Sequence, residues 1–161
     1  MKVAVIMGSI SDLPVLEKTI STLKSFEVTV DAHVLSAHRT PSEVEVYAVS
    51  AQDKGIEVII AAAGKAAHLA GVIAAYTLLP VIGLPVMSST LDGLDSLLST
   101  VQMPPGVPVA TVAINGAENA ALLAIQILSL KYDSLKHKLA EYKNNMAQKI
   151  MEVDKNLQRE I

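Results

Sequence analysis

The chain has 161 residues, of which 51% are hydrophobic, 18% charged and 3% aromatic, with a net charge of −3. That balance excludes an intrinsically disordered chain, and it offers neither a basic surface nor enough aromatic rings to bind nucleic acid. The absence of cysteine removes disulfides, thiolate nucleophiles and cysteine-ligated metals, and leaves a core of Ala, Val, Ile and Leu, as in parallel strands buried on both faces.

At this length one domain with one core is expected. Lys2 to Met7 is a continuous apolar run of strand length. It enters the strand at once, without a leader pattern, so a cytoplasmic protein is expected. Gly8-Ser9-Ile10-Ser11-Asp12 follows, then a helical pattern from Leu13 to Phe26 with Leu13, Leu16, Ile20 and Leu23 on one face. Val28 to Leu35 is the second strand. After it comes Ser36-Ala37-His38-Arg39-Thr40-Pro41, with Thr40 as N-cap, Pro41 as first helical residue and Glu43 at the capping-box position of a helix reaching Lys54. Gly55 ends that helix, Ile56 to Ala62 forms the third strand, and Gly64-Lys65-Ala66-Ala67-His68 makes a second glycine-bearing turn.

The stretch from Ala66 to Met87 is long enough and poor enough in charge to span a bilayer. Yet Pro80, Gly83 and Pro85 interrupt it and His68 lies within it. A buried helix ending near Leu79 and a fourth strand, Val81 to Leu84, account for it better, so no membrane segment is expected. A loop rich in Pro and Ser precedes a helix from Leu91 to Val101, with Ser89 or Thr90 as cap. The rigid Met103-Pro104-Pro105-Gly106 loop leads to a fifth strand, Val109 to Ile114, and a last Ala/Leu helix runs to Leu130, capped from Asn115 to Asn119.

Five strand–helix alternations predict an α/β fold, a three-layer αβα sandwich on an open parallel sheet of flavodoxin or Rossmann type. Residues 133–161 differ. Leu135, Leu139, Tyr142, Met146, Ile150, Val153 and Leu157 recur at steps of three and four, the stripe of a long C-terminal amphipathic helix. From Asp133 to Arg159 it would extend about 40 Å, beyond the width of so small a domain. Its far end is therefore expected to pack on another subunit of a homo-oligomer.

Three turns, Gly8 to Asp12, Ser36 to Thr40 and Gly64 to His68, lie at the carboxyl ends of consecutive strands and open helices, so backbone N–H groups converge on one anion-binding crevice. Ser36 and Arg39 suit an anionic oxygen, and His38 can take and return a proton near neutral pH. A lone histidine in a turn is more often a surface or capping residue, and Ser9, Ser11 and Asp12 serve equally well as helix caps. His68 fits a core imidazole bonded to a carbonyl as well as a substrate contact. His33 and His137 read as structural or solvated. No His-x-x-x-His pair or carboxylate cluster supplies metal ligands, so no metal is expected, and neither Gly-x-Gly-x-x-Gly nor Gly-x-x-x-x-Gly-Lys-Ser/Thr occurs, so the dinucleotide and nucleoside-triphosphate fingerprints are absent.

These turns, with Ala66-Ala67-His68-Leu69, Pro80-Val81-Ile82-Gly83, Val101-Gln102-Met103-Pro104 and Ala110-Thr111-Val112-Ala113-Ile114, resemble the PurE family from Val3 to Leu130. The resemblance implies an isomerase of de novo purine synthesis. It would move a carboxyl group from the exocyclic nitrogen of N5-carboxyaminoimidazole ribonucleotide to C4 of the ring, without metal, biotin or ATP. It implies His38 as general acid/base, Ser9, Ser11, Ser36 and Arg39 as phosphate ligands and Asp12 as ribose ligand. It also places Ala37 in the substrate site, brings Gly64, Lys65, Ala66, His68 and Leu69 to the base and carboxylate, and suggests an octamer.

The chain departs from that family in two places. Many members have Gly-Gly-Ala-Ala-His-Leu-Pro-Gly where this chain has Gly64-Lys65-Ala66-Ala67-His68-Leu69-Ala70-Gly71. Lys65 adds a cation, for the carboxylate or for solvent, and Ala70 removes a rigid proline. Two competing readings are a carboxylase taking free CO2, which typically has Arg-Ser-Asn in this turn, and a receiver-like or phosphosugar-binding module without catalysis. A receiver wants an aspartate at the end of strand three, where this chain has Ala61-Ala62-Ala63-Gly64.

Overall fold

The computed structural model describes residues 1–160. Five parallel strands, β1 (Lys2–Met7), β2 (Thr29–Val34), β3 (Val58–Gly64), β4 (Val81–Val86) and β5 (Ala110–Thr111), lie in the order β2-β1-β3-β4-β5. Six α-helices connect and extend them: α1 (Leu13–Ser25), α2 (Pro41–Ser50), α3 (Leu69–Tyr76), α4 (Leu94–Val101), α5 (Ala117–Ser129) and α6 (Asp133–Glu160). This is the flavodoxin-like order, and its switch point falls between β1 and β3.

Alternation along the strands divides the core in two. Val3, Val5 and Met7 of β1 and Val58, Ile60 and Ala62 of β3 pack with α1, α5 and the start of α6. Ala4, Ile6, Ile59 and Ala61 point the other way, onto α2 and α3. Because both faces are covered, the central strands read as unbroken apolar runs. On that second face α4 also approaches closely. A Cβ on Gly83 would collide with Thr100 Cγ2 and lie 3.0 Å from Val109 Cγ1, so only glycine lets this helix sit down on β4.

Several element ends differ from expectation: β3 runs Val58–Gly64 rather than from Ile56 to Ala62, β4 reaches Val86 rather than Leu84, and Leu91–Gly93 is a separate 3-10 turn ahead of α4. Three further differences have a clear local reason. The regular part of α2 stops at Ser50, but the chain keeps winding to a Schellman cap: Ile56 N–H donates to Ala51 C=O and Gly55, at φ 77°, donates to Gln52 C=O. Helix α3 ends at Tyr76 rather than Leu79. Thr77 is extended, its hydroxyl accepts from Leu79 N–H at 3.2 Å, and Pro80 disfavours helix in the residue before it. Strand β5 has two residues instead of six. Pro85 faces it without an N–H to donate, so after Val112 N–H binds Gly83 C=O the ladder skips to Asn115 N–H on Pro85 C=O.

Among the described residues no helix is long and apolar enough to cross a membrane. The Ala66 to Met87 segment is α3, a connector and the buried strand β4.

Candidate active site

The first turn begins where β1 stops. Gly8 N–H donates to Ala62 C=O at 2.9 Å, which pins the turn to β3. Ser9 Oγ accepts from the Ser11 amide at 3.3 Å and the Ser11 hydroxyl at 2.8 Å, while the Asp12 carboxylate accepts from Ser9 N–H at 3.2 Å. This reciprocal capping box closes a short 3-10 turn, Ile10–Asp12, ahead of α1. Asp12 is 8% exposed. Burial pushes its carboxyl above the usual range, against the hydrogen bonds of Ser9 and Ser11 and the charge of Arg39.

The second turn is closed by its own side chains. Thr40 Oγ1 accepts from Ser36 N–H at 2.9 Å and donates to Ser36 C=O at 3.2 Å. Thr40 holds the N-cap position of α2, but with its hydroxyl spent on Ser36 it makes no side-chain cap, and the box expected with Glu43 does not form. Arg39 ties this turn to the first: Nη2 donates to Gly8 C=O at 3.0 Å and Nε to Ser36 Oγ at 3.3 Å. His38 ties it to the third, since His38 Nε2 lies 2.9 Å from His68 Nδ1 with the rings nearly perpendicular at 87°. One of those two nitrogens must carry the proton and the other a lone pair. His68 is thus exposed and paired with a second imidazole, neither a core residue nor bound to a carbonyl.

In the third turn Gly64 stands close to β4, so that a Cβ there would lie 3.3 Å from Val86 C=O. Lys65 has φ 56°, and His68 N–H donates to Ala66 C=O at 2.9 Å, which turns the chain into α3.

The three turns surround a cleft of about 660 Å³, a size suited to a small ligand. Ser9, Ser11, Asp12, Ser36, Ala37, His38, Arg39, Gly64, Lys65, Ala66 and Leu69 all line it. His68 does not, and reaches it only through His38. Sequence reasoning missed Ala63, Val86, Met87 and Ser88 on the same wall. Their signal was available, because Met87 and Ser88 leave the carboxyl end of β4, beside β3, under the same rule that selected the other turns. Asn115, expected as a helix cap, instead accepts the Met87 N–H on Oδ1 at 2.9 Å, and Gly116 takes the N-cap of α5. Among the described residues no group of three His, Asp or Glu side chains gathers as a metal-ligand set.

Comparison with known proteins agrees with this geometry. The family described as AIR carboxylase matches residues 2–149. The N5-carboxyaminoimidazole ribonucleotide mutase of Pyrococcus abyssi is 60% identical over 145 residues, covering 90% of this chain and 83% of that protein. The mutase of the same name from Thermotoga maritima is 52% identical over 158 residues, covering 98% and 92%. Among solved structures, Treponema denticola PurE superposes with a TM-score of 0.87 at 31% identity, covering 97% of this chain and 98% of that one.

Proposed function

The chain belongs to the AIR carboxylase family, and from that premise we propose that it is an N5-carboxyaminoimidazole ribonucleotide mutase of purine biosynthesis. The observation that carries the reading is the convergence on one cleft of a proton carrier, His38, and an anion site, Ser9, Ser11, Ser36 and Arg39, from turns far apart in sequence. Arg39 presents a planar fork of donors already oriented by Gly8 and Ser36, the arrangement that suits a phosphate. Asp12, acceptor-rich and fixed by its capping bonds, is the partner for ribose hydroxyls.

The chemistry follows from that placement. The carbamate C–N bond of the substrate breaks to give CO2 and the aminoimidazole, and the nitrogen gains a proton from His38. C4 of the ring then attacks CO2, forming the new C–C bond and leaving a tetrahedral carbon that still holds its hydrogen. His38 removes that proton and is restored, so no proton is gained or lost overall. The cleft keeps CO2 beside the ring while the two bonds exchange. In this reading the Gly64 to Ala66 turn, which lines the cleft, supplies the donors for the migrating carboxylate. Met87 and Ser88, which follow β4, line the cleft beside that turn.

We assign the enzyme to the cytoplasm as a single α/β domain in a homo-oligomer, the octamer being the assembly implied by the PurE resemblance. Helix α6 supports the oligomer. Leu135 and Leu139 are buried and Tyr142 stacks on Phe26 at 5.8 Å, but from Lys143 to Arg159 every described side chain is exposed. Met146, Ile150, Val153 and Leu157 lie in that unpartnered length, and a second subunit would cover them.

The test is interconversion of the two carboxylated aminoimidazole ribonucleotides, without ATP or metal, by wild type and His38→Asn. Turnover by wild type, lost in a variant that still binds nucleotide, is expected. Activity that appears only with high bicarbonate would replace the mutase by a carboxylase. Binding without turnover under either condition would leave a phosphosugar-binding module.

A further inference from the structure

The charged groups of the cleft are unevenly committed. Asp12, Arg39 and Lys65 are the fixed charges on its walls. The Arg39 guanidinium is engaged by Ser36 Oγ and Gly8 C=O, and its charge acts on Asp12. Asp12 is in turn held by Ser9. Lys65 has none of this: among the described residues its ammonium makes no hydrogen bond and no ion pair. It is also the one non-glycine residue of its turn at positive φ, 56°, a region that disfavours any side chain with a Cβ. A strained, unpaired cation in a ligand cleft points to a ligand charge.

The two cations stand on different walls. Arg39 follows β2 and Lys65 follows β3, with β1 between them, so their strands are two spacings apart, roughly 10 Å. The nucleotide of the proposed reaction carries an anion at each end, a phosphate on the ribose and a carboxylate on the base. With the phosphate among Ser9, Ser11, Ser36 and Arg39, its base end extends across the β1/β3 switch point toward Lys65.

We propose that Lys65 is a specificity-determining residue, the cation that recognises the carboxylate of the substrate and separates carboxylated from uncarboxylated aminoimidazole ribonucleotide. It transfers no proton. It adds a charge-assisted contact in both substrate and product, which hold the carboxylate on the exocyclic nitrogen and on the nearby ring carbon C4, and it keeps the CO2-bearing end at the third turn. This inference rests on the mutase reading.

Affinities of 4-carboxyaminoimidazole ribonucleotide and aminoimidazole ribonucleotide, measured by titration calorimetry, test it in wild type, Lys65→Gly, Lys65→Gln and Lys65→Arg. Glycine suits the backbone, glutamine keeps the side chain without charge, and arginine keeps the charge. Glycine and glutamine are both expected to weaken the carboxylated ligand about tenfold, a change of about 1.4 kcal/mol. They should leave the uncarboxylated ligand within a factor of two, and arginine should retain most of the preference. Equal losses for both ligands would move Lys65 to the phosphate, and no loss for either would leave it in solvent; each result overturns the proposal. The mutase reading fails separately. If wild type binds both ligands but does not interconvert the carboxylated isomers, that reading falls, while the carboxylate preference still reports on Lys65.

Discussion

His38 Nε2 and His68 Nδ1 approach to 2.9 Å across thirty residues of sequence, with the two rings nearly perpendicular. The contact restricts His38, the proton carrier of the proposed reaction. His38 sits on a turn after β2, open to solvent, and His68 is the side chain that holds its ring in one orientation. The bond also fixes which His38 nitrogen is engaged, leaving Nδ1 for the chemistry or for orientation.

Replacement of His68 by Asn should therefore lower kcat by about ten- to a hundredfold, the scale of a small misplacement of a catalytic group, with KM within about threefold. Unchanged kcat would make the contact incidental.

Arg39→Ala should act on binding. Loss of a charged hydrogen bond costs roughly 1.5 to 3 kcal/mol, so the affinity for either nucleotide should fall by at least tenfold. Lysine in its place should recover only part, since it restores the charge but not the fork that spans Gly8 C=O and Ser36 Oγ. Calorimetric affinity that does not move would remove Arg39 from the phosphate site.

Far from the cleft, Glu57 joins the chain start to the α5–α6 junction. Its carboxylate accepts from Lys131 Nζ at 2.9 Å and Tyr132 Oη at 3.0 Å and lies 3.7 Å from the Met1 amine. Burial alone would raise its pKa, but the Lys131 and Tyr132 hydrogen bonds and the nearby positive charges outweigh burial and hold it below the usual 4.5. A carboxyl depressed by folding stabilises the native state above its unfolded value, and that contribution is lost as the pH falls through the folded one. Glu57→Gln should thus cost about 1 kcal/mol at neutral pH. In urea unfolding the deficit should shrink below pH 4.5. A deficit independent of pH would mean that packing, not charge, is what the substitution disturbs.

Truncation after Lys143 tests the tail without touching the core, because Leu135, Leu139 and Tyr142 stay in place. The shortened chain should keep its far-ultraviolet circular dichroism per folded residue and scatter light as a smaller assembly. An unchanged oligomer would confine the subunit contacts to other surfaces.

The sequence by itself determined the alternation of strands and helices, the two-faced burial of β1 and β3, and the three turns that line the cleft. These properties are written in local pattern: apolar runs of strand length, polar turns at their ends and helix-period stripes after them. It also made Lys65 and Ala70 visible as unusual residues. What it did not determine are the relations between turns. Thr40 and Asn115 looked like helix caps because side chain and spacing fit, yet a competing amide from Ser36 or Met87 claims each one. Strand β5 was shortened by a proline on its neighbour, which no pattern within 109–114 records. The Met87–Ser88 wall, the Arg39 bridge to Gly8 and the His38–His68 pair exist only because the order β2-β1-β3-β4 sets four strand ends side by side. Secondary structure is a property of neighbours in the chain; a site depends on neighbours in the sheet, and only the folded order of the strands chooses those.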